Sequence, residues 1–230
     1  MNNILVIFAK QMKDTVKNKT VLIQYLMFPL ITIVMERFVK IDDMPEHFFA
    51  SLFAVMFVGM APLTCASAIV SEEKEKNTLR ALLTASVKPM EYLAGVGGYV
   101  FLLSMAGAAV IGAAGGYRGK QLALFILVLA AGTLVSTALG AAIGMMSRSQ
   151  MAATGLSVPA MMVLSFLPML SMFNEKIAKV SELTYSGQLS NIIRSLDAPD
   201  IGAKTVCVLA VNVAVTLAAF IFAYGKSKLE

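Results

Sequence analysis

Long apolar segments dominate the chain. Six of them recur, each near the ~20 residues that a helix needs to cross the core of a bilayer. They lie at 21–39, 48–70, 90–114, 122–146, 152–173 and 204–224. The pattern predicts an all-α integral membrane protein with six transmembrane helices, folded as a single transmembrane domain over residues 1–230.

The first twenty residues are amphipathic instead. Apolar side chains share one face of a predicted helix, and charged side chains share another. The apolar set is Ile4, Leu5, Phe8, Met12 and Val16, and the charged set is Lys10, Lys13, Asp14 and Lys17. This pattern predicts a helix over 1–20 that lies in the membrane interface with its lysines toward anionic headgroups. An ordinary solvated N-terminal helix is the alternative.

The densest run of charge, residues 71–89, separates the second and third apolar segments. Three acidic residues come first, and Ser71 stands before them as a candidate N-cap. Leu79, Leu82, Leu83 and Val87 then recur at helical spacing, opposite Lys76, Arg80 and Thr84. The pattern predicts a short amphipathic helix on the membrane surface, and a solvated loop is the alternative.

A second amphipathic pattern lies between the fifth and sixth segments, in residues 174–203. Its apolar positions are Leu189, Ile192, Ile193 and Leu196, and its polar positions are Asn191, Arg194 and Asp197. We predict a helix that dips partly into the leaflet on the extracytoplasmic side. Its apolar face has nowhere to bury except against the ends of spans or against lipid.

Composition excludes a soluble domain. The chain is 58% hydrophobic with 14% charged residues, against about 25% charged in soluble domains. Eleven of its nineteen basic residues lie in the cytoplasm if the N-terminus is inside, which predicts that both termini are cytoplasmic. Their position beside the spans explains the net charge of +5 without a nucleic-acid partner.

Two further patterns concern packing in the bilayer. Because the chain has no Trp, the interfacial aromatic belt is predicted to consist of Tyr25, Tyr92, Tyr117 and Tyr224. The third and fourth segments carry small residues at every fourth position, which lets helices approach closely. These are Ser104, Ala108, Gly112 and Gly116, and then Gly132, Ser136, Gly140 and Gly144.

The residues that would support chemistry are scarce. His47 is the only histidine, so neither a His-paired nucleophile nor a histidine metal cluster is possible. The Gly116–Gln121 segment is too short and mis-spaced for a phosphate-binding loop. We therefore predict no catalytic residue, no metal and no cofactor, and an energy source supplied by a partner.

The charged stretch resembles the signature of type-2 ABC transporter permeases. The similar residues run from Lys74 to Leu83, KEKNTLRALL, and from Val87 to Gly95, VKPMEYLAG. The sequence departs from that signature at Asn77, where Gly is usual, at Arg80 in place of Glu, at Ser86 in place of Pro and at Val96 in place of Lys. The overall plan of the chain is also similar to that family.

The resemblance implies a permease subunit that forms a homo- or heterodimer and binds two ATPase subunits, which hold the ATP. The stretch at 71–89 would be the coupling helix that docks on the ATPase. Its site residues would be Glu72, Glu73, Glu75, Leu79, Leu82, Leu83 and Val87. The glutamates would hold the turn against basic groups of either partner, and the leucines would make the docking contact.

Three functional classes remain in view. An ABC exporter in the plasma membrane is the leading interpretation, with a hydrophobic or amphipathic substrate such as a drug, a peptide antibiotic or a lipid-linked molecule. An ATP-independent channel or secondary carrier and an intramembrane enzyme are the alternatives. The leading interpretation makes Leu189, Ile192, Ile193 and Leu196 an outer gate of the pathway.

Overall fold

The computed structural model describes residues 3–15, 19–42, 44–84, 87–196 and 201–227. Ten helices form from these residues, and the part of the chain that is described has no strand. They are α1 (Asn3–Thr15), α2 (Lys19–Phe38), α3 (Phe48–Glu75), α4 (Thr78–Thr84), α5 (Pro89–Ala114), α6 (Gly119–Met146), α7 (Gln150–Leu170), α8 (Glu175–Ser181), α9 (Tyr185–Arg194) and α10 (Ala203–Ser227).

The long helices confirm an all-α membrane protein. Within the described residues, α3, α5, α6, α7 and α10 are long and apolar enough to cross a bilayer. The first predicted span corresponds to α2, which is not among those five. The count of six spans and the cytoplasmic position of the termini therefore stay predictions.

Helix α3 lies at the centre of the bundle, and α6 packs closely along it. A Cβ added at Gly144 would stand 2.7 Å from the Ser67 carbonyl, and one at Gly140 would overlap the backbone of Leu63. One turn before Gly140 in α6, Ser136 Oγ donates to the Val58 carbonyl at 2.6 Å. The stripe of small residues in α6 therefore does what its spacing predicts, since it brings two backbones together.

The predicted tyrosine belt is wrong in one respect. All four tyrosines lie near helix ends, but each is at most 5% exposed, so each points into the bundle. Tyr92 and Tyr224 donate hydrogen bonds to protein acceptors, and Tyr117 stacks on Phe125. A phenol needs a partner for its hydroxyl, and here the protein supplies that partner instead of the headgroup region.

Candidate functional site

Helix α3 extends beyond the apolar segment and includes the acidic run, so Glu72, Glu73 and Glu75 belong to its last turn. The N-cap predicted for Ser71 is wrong, because this serine is buried inside α3 and its hydroxyl donates to the Ala68 carbonyl. The acidic run continues the helix because its inward residue, Glu73, finds hydrogen-bond donors inside the protein. The surface helix is correspondingly shorter than the predicted range of 71–89.

A sharp turn separates α3 from α4. Asn77 has a φ of +58°, and its N–H donates to the Lys74 carbonyl at 3.1 Å. This left-handed conformation favours Gly and is tolerated by Asn among the other residues. The turn explains why Asn can replace the glycine usual at this position. The Thr78 hydroxyl, at the start of α4, donates to the Glu73 carbonyl of α3 at 3.1 Å.

Helix α4 turns part of its leucine face inward. The side chain of Leu79 is only 2% exposed, and Leu82 is half-buried against the core. The side chain of Leu83 lies outside the described residues. Arg80 and Thr84 are exposed. The surface that α4 offers to a partner is therefore more polar than its sequence pattern predicts, because Leu79 already packs within the chain.

Glu73 is the centre of the site. Its Oε1 accepts from Lys10 Nζ at 2.5 Å and from Gln11 Nε2 at 2.7 Å. Its Oε2 accepts from the Tyr92 hydroxyl at 2.6 Å. Because Lys10 and Gln11 lie in α1 and Tyr92 in α5, one carboxylate joins three helices next to the turn that leads into α4.

The surroundings of Glu73 explain why a charge is stable there. Two factors disfavour the charge. The side chain is only 6% exposed, and a carboxylate in the last turn of a helix faces the negative end of the helix dipole. The Lys10 cation balances the charge, and the two neutral donors complete its hydrogen bonding. Buried charges persist in proteins when they are paired and hydrogen-bonded in this way.

The other two glutamates make separate contacts. Glu72 forms an exposed ion pair with Lys76 at 2.5 Å, four residues later. This hydrogen bond, followed by the Coulombic attraction of the same carboxylate, raises the pKa of Lys76. Glu75 accepts from the backbone N–H of Gln150 at 2.8 Å and so holds the first turn of α7.

The C-terminal side of α4 is also anchored. Val87 is 4% exposed, and its carbonyl accepts from the Tyr224 hydroxyl of α10 at 2.9 Å. The Lys88 N–H then donates to Glu91 in the first turn of α5. Both sides of α4 are therefore fastened to long helices, through Glu73 on one side and Val87 on the other.

The N-terminal helix packs directly on α5 beside this site. A Cβ on Gly95 would stand 2.7 Å from the side chain of Ile7, so this glycine of the signature allows a close helix contact. Ile7 is buried, whereas Leu5 and Met12 of the predicted apolar face are exposed. One face of α1 therefore packs against the bundle, and a second apolar face is exposed.

The second amphipathic segment, predicted within residues 174–203, contains α9, and its four predicted apolar side chains are all buried. Their exposures are 1% for Leu189, 6% for Ile192, 2% for Ile193 and 6% for Leu196. They pack against α3, α6 and α7. Asn191 and Arg194 are exposed as predicted, and Asp197 lies outside the described residues.

A hydrogen bond fixes the depth of α9 in the bundle. Ser136 has one hydroxyl proton, which goes to the Val58 carbonyl, so the Tyr185 hydroxyl must donate to Ser136 Oγ across their 2.6 Å contact. Ser136 lies well inside α6. The start of α9 therefore reaches the interior of the bundle instead of resting on its rim.

Sequence reasoning missed several residues of the site. The sequence pattern predicts Lys10 at the headgroups and Tyr92 and Tyr224 in the interfacial belt, and it gives Gln11 no role. A polar residue at position 11, between the apolar residues Phe8 and Met12, was the available signal for a polar partner. Within the described residues, no three His, Cys, Asp or Glu side chains come together to hold a metal ion.

The fold and the site together define a polytopic α-helical membrane protein in which a short surface helix is fastened to the spans. The model of the ABC-2 family transporter proteins matches residues 2–196, which is most of the chain. The chain therefore belongs to the ABC-2 transporter family and is a membrane permease component of an ABC transporter. No curated protein matches the chain.

Proposed function

We propose that this chain is the permease subunit of an ATP-driven exporter and that α4 couples it to a separate ATPase subunit. One observation carries the proposal: α4 is bound on both sides to long helices. Glu73 joins its start to α1 and α5, and Tyr224 joins its end to α10. A displacement of α4 by a bound ATPase would move these helices with it.

The contacts divide the predicted coupling residues into two groups. Glu73, Leu79 and Val87 hold α4 in place, since their side chains are buried within the chain. Glu75 holds α7. The proposed docking surface consists of the exposed Lys76, Arg80 and Thr84 and the half-buried Leu82. Glu72 keeps Lys76 oriented. Leu83 belongs to this surface by its sequence position alone.

The proposed substrate is a hydrophobic or amphipathic molecule. Among the described residues, Glu73 is the only charged side chain that is buried, and it lies at one end of the spans. The other buried polar side chains of the long helices are hydroxyls, for example Ser104, Thr133 and Ser157. Such an interior suits a drug, a peptide antibiotic or a lipid-linked molecule better than an ion.

The proposed assembly has two permease subunits, alike or related, and two ATPases in a plasma membrane. The ABC-2 family generally works with ABC ATPase partners, which in this proposal hold the ATP. In this assembly α9 closes the outer end of the pathway. Two observations support this role, namely the burial of its apolar face and the contact between Tyr185 and Ser136 inside α6.

The coupling role is tested by reversing two exposed positive charges, Lys76 in the turn before α4 and Arg80 within α4. The double variant Lys76→Glu, Arg80→Glu changes only exposed side chains, so the spans stay folded. We expect co-purification of a partner ABC ATPase to fall on the order of tenfold or more, because the reversal replaces both cations of the proposed docking surface and so disturbs its charge complementarity with the ATPase. Leu82→Asp is a poorer test, because Leu82 also packs against the core.

The matched control is Arg118→Glu, Lys120→Glu, which reverses one Arg and one Lys that are exposed at the other end of the spans. This control should bind the ATPase at the wild-type level. If the α4 variant also binds and stimulates the ATPase normally, the coupling assignment is wrong.

A further inference from the structure

A basic cavity of about 210 Å³ opens where α3, α6 and α10 end. Three cationic side chains line it, one from each helix end, namely Lys74, Arg148 and Lys226. The remaining lining is apolar and comes from Met145, Met146, Phe222 and Ala223. The contacts that join α4 to the bundle do not involve this cavity.

Two of the three cations of the cavity are not neutralised by a carboxylate within the described part of the chain. Neither Arg148 nor Lys226 forms an ion pair with a described carboxylate. Lys74 donates to the Met145 carbonyl at 2.8 Å and thereby caps the end of α6. A helix C-terminus supplies roughly half a negative charge, so the ends of α6 and α10 together offset about one of the two charges that Arg148 and Lys226 bring, and a net positive charge remains.

The position of the cavity indicates which anion it takes. It lies at the ends of membrane-spanning helices, and two of its apolar side chains point outward, with Phe222 75% and Met146 65% exposed. Outward apolar side chains on a span are stable when acyl chains cover them. Cations at the headgroup level beside such side chains match a phosphate with attached acyl chains better than a free ion.

We propose that this cavity binds the phosphate headgroup of an anionic phospholipid in the leaflet that faces the coupling helix. Arg148 and Lys226 bind the phosphate oxygens, Lys74 contributes its charge while it caps α6, and Phe222 and Met146 contact the acyl chains. Guanidinium and ammonium groups are the side chains that bind phosphate. The bound lipid would join the ends of α6 and α10 at a site separate from the ATPase contact.

The test uses the absence of Trp from the chain. The variant Phe222→Trp places a single fluorophore at the cavity. The full-length protein is reconstituted in two kinds of phosphatidylcholine vesicle. One contains a minor fraction of brominated phosphatidylglycerol and the other the same fraction of brominated phosphatidylcholine, with the bromine high on the acyl chains in both. Bromine quenches Trp at short range, so the difference in quenching reports the preference for the anionic lipid.

We expect brominated phosphatidylglycerol to quench more strongly than brominated phosphatidylcholine. In the Arg148→Gln and Lys226→Gln background, the relative affinity should fall about fivefold for each cation removed, the factor that corresponds to ~1 kcal/mol. The control Lys13→Gln, Lys88→Gln removes two exposed charges outside the cavity and should keep the preference.

Three results would overturn the proposal. The first is equal quenching by both brominated lipids. The second is relief of the phosphatidylglycerol quenching by inorganic phosphate but not by chloride at the same ionic strength, which assigns the cavity to a soluble phosphate. The third is an unchanged lipid preference in the Arg148→Gln, Lys226→Gln variant together with loss of ATPase co-purification, which assigns the two cations to a protein partner.

Discussion

Replacement of Glu73 by alanine should loosen the attachment of α4 while the spans stay inserted. The change removes one acceptor from three donors, of which Gln11 is 3% exposed and the Tyr92 side chain is fully buried. Each buried donor that loses its acceptor costs about 1–3 kcal/mol. Lys10 contributes less, because its side chain is 38% exposed and can turn to water.

The two buried donors alone give about 2–6 kcal/mol. Part of this is offset, because removing the carboxylate also removes its desolvation cost. We therefore expect a net loss of about 2–4 kcal/mol, which corresponds to a fall of roughly 4–16 °C in melting temperature for a chain of this size. Glu73→Gln keeps one acceptor oxygen and the shape of the side chain, so its effect should be about half as large.

The assay combines thermal unfolding of the purified protein with amide hydrogen exchange of residues 76–84. Glu73→Ala should lower the melting temperature and speed exchange in that segment. Glu72→Ala is the matched control, since it removes a neighbouring carboxylate from an exposed ion pair, and such pairs contribute almost nothing measurable. If Glu73→Ala melts and exchanges like Glu72→Ala, the three-helix junction does not stabilise the fold and the reasoning fails.

Three further predictions concern the bundle. Gly140→Ala should disrupt the contact between α3 and α6 and lower the folded yield, because the added methyl group meets the backbone of Leu63. Gly155→Ala is the control: its methyl group meets nothing within 4 Å among the described residues, so the change should be tolerated or stabilising. Ile193→Ser should raise basal leak or uncouple ATP use without loss of assembly, since it removes apolar contact from the proposed gate. In intact cells, an impermeant thiol reagent should label cysteine at exposed Glu46 but not at exposed Lys88.

Each of these has a contradicting outcome. Equal folded yields for the two glycine variants would mean that the close approach of α3 and α6 is not needed. Unchanged transport and ATPase activity in a stable Ile193→Ser protein would make α9 a structural cap and not a gate. Labelling at Lys88 with Glu46 silent would invert the topology, so these labelling data decide the orientation independently of any transport measurement.

The class of protein and the helix positions could be predicted from the sequence. The observed ends of α5 and α6 lie within three residues of the predicted bounds, because long apolar runs and the loops between them are local properties of the chain. The close approach of α6 to a neighbouring helix could also be predicted, since small residues at every fourth position lie on one helical face, whereas the identity of that neighbour, α3, could not. The family signature in residues 74–95 is likewise a property of adjacent residues.

The partners of individual side chains depend on tertiary structure. Glu73 and Glu72 are adjacent and chemically identical, yet one is buried among donors from two other helices and the other forms an exposed ion pair. Which of them turns inward depends on where α1 and α5 lie around α3, and sequence periodicity cannot give contacts between residues sixty positions apart. For the same reason, only the packed bundle brings Lys74, Arg148 and Lys226 to one cavity: each cation ends a different helix, and the crossing of those helices decides that the three ends meet.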